Sequence, residues 1–454
     1  MTGRNPGRGT LKTKKHKVAL DLTWNTLPTD VIITIAFFIP DAADLFTYLE
    51  ALRVFNVLGP LEHLHKLGTK RRHQDLWPSL TITTATLQSQ FILSYEAIVK
   101  YYARVVIHDI SDFQWLRTHL NPKVQVEWNA NDLPVPEEIL DNWTDLRITR
   151  LDCYFYSRDT SKLNEILPRL PHLSALKACL RDTLDYLCPL VAKSTQLTEL
   201  QLITLMDDVW RESHFLDFIH WLSTQPVRQF RFGGRHRWYT ISSGIKQRFY
   251  ESLLNCPTLV KVILDNGDVG NLDFSRFTFS MKSLLVFGLD SMVAKLIADR
   301  LKDSKVEDLC LRAFHRGEKD GTKFLLEVLP DTPIKTLSLD NIRIGRKSWC
   351  EIAPLLEKCP LKTLAFRFDK LYPEVAQCIA NAIQANKTIC QLVLTGGGIA
   401  INDIQTLIEG MTHPSRPVQT KQIKWIREYR RVVHAEPLAK LKQLARERGG
   451  EFLF

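Results

Sequence analysis

One phrase constrains this chain more than any other: apolar–x–x–apolar–x–apolar, returning at the length of one strand plus one helix. It reads LSALKA from Leu173, LTELQL from Leu197, VRQFRF from Val227, LVKVIL from Leu259 and LLVFGL from Leu284. It continues as VEDLCL from Val306, IKTLSL from Ile334, LKTLAF from Leu361 and ICQLVL from Ile389. A unit of this size cannot bury its apolar face alone and must stack on its neighbours, so the pattern predicts a solenoid. The fold class expected is α/β, with a parallel sheet inside and helices outside. An open curved stack offers a long surface and no enclosed pocket, which favours a binding protein.

The nine strand phrases are preceded by alternating segments that read as the first, irregular repeats. RVVIHD at Arg104–Asp109, KVQVEW at Lys123–Trp128 and LRITRLDC at Leu146–Cys153 are strands, with a helix in DFQWLRTHL. The solenoid is expected over 83–419. Ahead of it, residues 18–80 form a small helical module. Pro28 suits a first helical turn, and Val31, Ile35 and Ile39 fall at i, i+4 and i+8. Pro40 stops this helix and Asp41 caps the next, which carries Leu45, Leu49 and Leu52. Gly59-Pro60 precedes a third helix through Leu61, Leu64 and Leu67.

Charge is placed unevenly. Residues 1–17 hold six Lys or Arg and no acid, and residues 420–454 hold nine against four Glu, while the whole chain carries +10. The body is therefore close to neutral. The basic arm at 1–17 and a basic C-terminal cap at 420–454 carry the excess. A neutral body disfavours nucleic acid as its partner. The longest apolar run, Val31–Ile39, is too short to cross a bilayer, so no membrane association is expected. No signal peptide is visible, and the expected location is cytoplasmic or nuclear. The nine cysteines include no CxxC, and all are expected as reduced thiols. No metal site or cofactor is expected: His63-x-His65 places its rings apart on a helix, and Gly396-Gly397-Gly398 lacks the Lys-Ser/Thr of a phosphate loop. No nucleophile elbow or His–Glu–x–x–His is present, so no catalytic residue is assigned.

The repeating phrase resembles the leucine-rich repeat, over roughly residues 100–420. That family places an Asn after LxxLxL, where this chain has Leu205, Gly267, Ile342, Asp369 and Gly397. The next apolar position is kept as Val269, Ile344, Leu371 and Ile399. The module over residues 24–80 resembles an F-box. It opens Leu27-Pro28-Thr29-Asp30-Val31, continues with Ile39-Pro40-Asp41 and Asp44-Leu45, and ends with Leu76-Trp77. Where F-boxes place an Arg-Trp pair at the end of the second helix, this chain reads Leu52-Arg53-Val54-Phe55-Asn56.

Together the resemblances imply a substrate receptor of a cullin–RING ubiquitin ligase, which acts through proximity and carries no catalytic group. The module would dock on the ligase adaptor through Leu27, Pro28, Val31, Ile32, Ile35, Leu45 and Leu49. The repeats would hold a protein substrate. Side chains between the apolar positions point out of the sheet, and Arg150, Lys177, Glu199, Gln201, Arg231, Lys261, Arg312 and Arg367 are the candidates there. Arg235, Trp238 and Tyr239, in the insertion RFGGRHRWYT, add the residue types that dominate binding hot spots. The alternative is a leucine-rich repeat scaffold or inhibitor with no ubiquitin role, its N-terminal helices merely closing the stack.

Overall fold

The structure is a computed structural model. It describes residues 27–109, 112–130, 142–154, 161–180, 184–204, 210–234, 240–265, 271–287, 291–312, 319–340, 346–427 and 435–454. The basic arm at 1–17 and the candidates Arg235, Trp238 and Tyr239 lie outside these residues. The chain forms two compact units, one reaching to Val106 and including Gln114–Val124, the other comprising Ile107–Phe113 and Gln125–Phe454.

In the first unit, α1 (Thr29–Phe38), α2 (Ala42–Arg53), α3 (Leu61–Gly68), α4 (His73–Leu76), α5 (Thr84–Leu87) and α6 (Ile92–Val99) accompany strand β1 (Leu80–Thr83). The start of α2 is set by Asp41, whose carboxylate accepts from the amides of Ala43 at 2.7 Å and Asp44 at 3.1 Å. Leu45, Leu49, Leu61, Leu64 and Leu67 are wholly buried and form its core with Ile32 and Ala36. Trp77 closes α1 by donating its indole N–H to the carbonyl of Ile39 at 2.8 Å. Phe37 meets the rings of Trp77 and Tyr102 edge-on at 5.0 and 5.1 Å.

β2 (Arg104–His108) is followed by β3 (Gln125–Ala130), β4 (Ile148–Tyr154), β5 (Ala175–Leu180), β6 (Glu199–Thr204), β7 (Gln229–Gly234) and β8 (Lys261–Leu264). Then come β9 (Ser283–Phe287), β10 (Asp308–Arg312), β11 (Thr336–Asp340), β12 (Thr363–Arg367), β13 (Gln391–Thr395), β14 (Gln422–Ile426) and β15 (Phe452–Leu453). The sheet takes its fifteen strands in chain order, and each pair from β3 onward is parallel. A helix separates most successive strands, as a right-handed strand–helix solenoid requires. No described helix is long and apolar enough to cross a membrane.

The register corrects the phrase in one repeat. Leu284 pairs with Val262 on one side and Leu309 on the other, so the repeat begins at Met281 rather than at Leu284. Met281, Leu284 and Val286 are buried, and Phe287 falls on the opposite face. The pattern also runs past its expected end. Ile423 and Trp425 of β14 align with Leu392 and Leu394, so the solenoid continues through 420–454 instead of stopping at 419.

Among the described residues, the turns after β12 and β13 are held by backbone hydrogen bonds rather than by asparagine side chains. Phe368 donates its amide to the carbonyl of Thr395 at 3.0 Å, and Gly396 donates to Ile426 at 3.1 Å. The glycine run is a steric requirement of this stacking. A Cβ at Gly396, whose φ is +139°, would lie 2.1 Å from the Phe368 carbonyl oxygen, and one at Gly398 would lie 1.9 Å from that of Asp369.

The expectation of nine reduced thiols fails at one place. Cys350 and Cys378 form a disulfide, with Cα atoms 5.3 Å apart. They sit on the helices Arg346–Ile352 and Pro373–Ala385 of adjacent repeats, 28 residues apart. One repeat length separates them, so stacking brings equivalent helix positions together. The other seven thiols are free, and all but the half-buried Cys310 are buried.

Candidate functional site

Two surfaces hold the candidate residues, one on each unit. On the first, α1 is apolar almost all round, and the module buries one side of it. Ile32 and Ala36 are wholly buried, while Leu27, Val31 and Ile35 keep about two-fifths of their surface and Phe38 keeps 81%. Val31, Ile35 and Phe38 recur every three or four positions of the helix, so they share one face, and Leu27 lies just ahead of it. Ile32, Leu45 and Leu49, which sequence reasoning placed in the same surface, are 0% exposed and have no area to offer. The reason is the near-continuous apolar character of α1 and α2, whose sequence marks no boundary between core and surplus. Val54 and Phe55, just beyond α2, are exposed at 84% and 46%.

Nearby histidines are engaged within the unit. His63 Nδ1 lies 3.2 Å from Ser94 Oγ, and His65 Nε2 lies 2.5 Å from Glu50 Oε2. Among the described residues no group of His, Cys, Asp or Glu is arranged to hold a metal ion.

On the second unit, alternation along each strand divides the sheet. One set of side chains is buried against the helices, as where Phe232 meets Trp210 and Phe215. The other set faces solvent in rows fixed by the register. Over β3–β7 that face carries Glu127, Arg150, Asp152, Lys177, Glu199 and Arg231, three acids and three bases. Arg150 spans both glutamates, at 3.8 Å from Glu127 and 2.8 Å from Glu199. Lys177 meets Asp152 at 2.6 Å. Arg231 reaches Asp265, just beyond β8, at 3.5 Å; burial pushes that carboxyl up while the guanidinium pulls it down. Gln201 stands between Lys177 and Arg231 in one row.

These pairs join neighbouring or next-neighbouring strands, so most charges of this half hold repeat to repeat. Half-exposed pairs of this kind each contribute about 0–1 kcal/mol.

Over β8–β14 the same face carries Lys261, Arg312, Arg367 and Lys424 with Asp308, Asp340 and Asp265, the last falling in the row of Phe287 and Arg312 just beyond β8. Arg312 and Arg367 flank Asp340 from either side, at 3.3 and 3.4 Å. The Arg312 guanidinium also lies 5.1 Å from the centre of the Phe287 ring. Between the charged rows runs a middle row of Leu285, Cys310, Ser338, Ala365 and Val393, paired one to the next across β9–β13.

The register thus places Arg150, Lys177, Glu199, Gln201 and Arg231 together over β4–β7, and Lys261, Arg312 and Arg367 over β8–β12. Sequence reasoning missed this stretch of the middle row, whose other end holds Lys177, Gln201 and Arg231, because it selected only charged or amide side chains at outward positions. The signal was present: Ala365 holds the same place in LKTLAF as Lys177 in LSALKA. Phe287 was hidden by the three-residue slip in its repeat.

No family model matches the chain, and a search of curated proteins finds no match.

Proposed function

We propose that the chain is a substrate receptor of a cullin–RING ubiquitin ligase, its helical module docking on the ligase adaptor and its repeats holding a protein substrate. The observation that supports this most is the solvent-facing stripe of Val31, Ile35 and Phe38 on α1, with exposed Leu27 just ahead of it. A module that merely closed a stack would have no use for an apolar face left over after packing itself, whereas helix-in-groove docking needs one. Val54 and Phe55 stand where F-boxes carry a tryptophan, and their exposure extends the apolar offering. The receptor contributes proximity rather than chemistry, which fits an open stack of repeats.

The test is a pull-down of the purified chain with the ligase adaptor, comparing wild type with Val31→Asp/Ile35→Asp. Both positions are about 40% exposed, so the variant keeps its core and its melting temperature. Adaptor binding by wild type that drops more than about tenfold in the variant is the expected result. Failure of the wild-type chain to bind would leave a repeat scaffold or inhibitor and remove the ubiquitin reading.

A further inference from the structure

Of the nine cysteines, two offer sulfur that is both reachable and reactive. Cys350 and Cys378 are half-buried on the outer helices Arg346–Ile352 and Pro373–Ala385, and their disulfide joins adjacent repeats. Six of the seven free thiols are buried, and burial raises the seventh, Cys310, so it stays protonated at neutral pH. Beside the disulfide, the outward contacts between these helices are slight. Arg346 Nη1 stands 3.9 Å from Glu374 Oε1 in a pair more than half exposed, and the guanidinium lies 3.6 Å from the centre of the Tyr372 ring. Surface contacts of this kind are weak, and salt screens the ion pair. The inner sides are seated separately. Trp349 meets Phe366 and Phe368 with ring centres 5.9 Å apart, and Val375, Ile379 and Ile383 are buried. Each helix therefore keeps its own seat when the bond between them opens. A partner also stands ready for the reduced form: Cys350 Sγ lies 3.7 Å from the Glu374 carbonyl oxygen, which can accept from a thiol.

We propose that Cys350–Cys378 is a redox clasp. A small thiol of the glutathione class opens it reversibly, and opening loosens the helix layer between two repeats while the sheet stays paired. Disulfides that solvent thiols can reach are the labile ones, whereas shielded ones resist reduction. A glutathione thiolate attacks one sulfur, the S–S bond breaks, and the other cysteine leaves as a thiolate. A second glutathione thiolate attacks the mixed disulfide, releasing oxidised glutathione and the remaining cysteine. Each cysteine thiolate then takes up one of the protons that the glutathiones gave up on ionising. Two glutathiones are thus oxidised to one disulfide as the protein bond is reduced. The structural consequence follows from the stacking. Helices and strands of a solenoid together set its curvature, and the bond fixes the two Cα atoms 5.3 Å apart. Releasing it frees the spacing of the helices, while the ladder through β11, β12 and β13 is untouched.

The experiment equilibrates the full native chain in buffers of reduced and oxidised glutathione and traps free thiols with iodoacetamide. Mass spectrometry then reads the state of Cys350 and Cys378, and hydrogen exchange is followed in the same samples. The expected result is a bond whose open fraction follows the glutathione ratio. Exchange in the helices Arg346–Ile352 and Pro373–Ala385 should rise about tenfold on opening, with β4–β7 unchanged. Cys350→Ser/Cys378→Ser should show the raised exchange at every ratio, which ties the effect to this bond. A bond that excess reduced glutathione opens only after urea is added is a structural disulfide, and that result overturns the proposal. Thiols that stay reduced in excess oxidised glutathione, or opening that leaves exchange unchanged, overturn it too.

Discussion

Asn386 shows how much one side chain decides in a stack of repeats. It is 0% exposed, at the exit of the helix Pro373–Ala385, and both ends of its amide are used. The NH₂ group donates to the carbonyls of Leu356 at 2.7 Å and Cys359 at 2.9 Å in the preceding repeat, while the oxygen accepts from the amides of Thr388 and Ile389, each at 2.8 Å. One side chain thus fixes its own corner and ties it to the repeat before. Other repeats place small polar groups at this corner: Ser194 accepts from Leu197 at 3.1 Å, Ser304 from Val306 at 3.3 Å and Thr332 from Ile334 at 3.4 Å. Asn386→Ala strips partners from two carbonyls and two amides where water does not reach. It is expected to cost about 3 kcal/mol, read as a fall in the urea midpoint. A loss under about 1 kcal/mol would mean that water enters the corner and replaces the amide.

At the scale of elements, the cysteines separate by the face they occupy. Burial raises the thiols of Cys153, Cys179, Cys188 and Cys310, and pushes Cys359 up to about 12, so at neutral pH they are protonated and slow to react. Cys350 and Cys378 are half-buried on helices of the outer layer. Mild reduction followed by iodoacetamide is expected to label these two first, with mass spectrometry locating the label; equal labelling of the strand cysteines would contradict the burial. The disulfide closes a 28-residue span, and its loss is expected to lower stability by up to about 3.5 kcal/mol on the chain-entropy account.

These elements also mark what was legible in the sequence. Strands at eight of the nine phrases sit where the spacing puts them, because inward residues must be apolar whatever the neighbours are. The ninth slipped: Leu284-Leu285-Val286-Phe287 is apolar on both faces, and the same template fits three residues late. β14 was missed because Thr420 holds the first apolar place, its hydroxyl bonded to the Met411 carbonyl. The disulfide escaped because its cue was the repeat length itself, not a local motif. On α1, helical spacing identified Val31 and Ile35 but could not separate them from Ile32, since only the packed module shows which side faces inward.

For the molecule as a whole, net charge is a poor guide, since a near-neutral body conceals rows of paired acids and bases on one face of the sheet. They become visible only when register stacks residues 22 to 32 apart. Register also dictates how stability is distributed. From β3 to β15 each strand pairs only with its neighbours in sequence, so each repeat is supported by the one before and the one after. A solenoid whose described strands pair only with their sequence neighbours loses structure regionally. Asn386→Ala weakens the junction between the repeats of β12 and β13. Native-state hydrogen exchange in that variant should rise in β12–β14 and in the helices Pro373–Ala385 and Ile401–Met411, while β4–β7 keep their wild-type protection. An equal rise in all strands would mean that the second unit opens as one cooperative body.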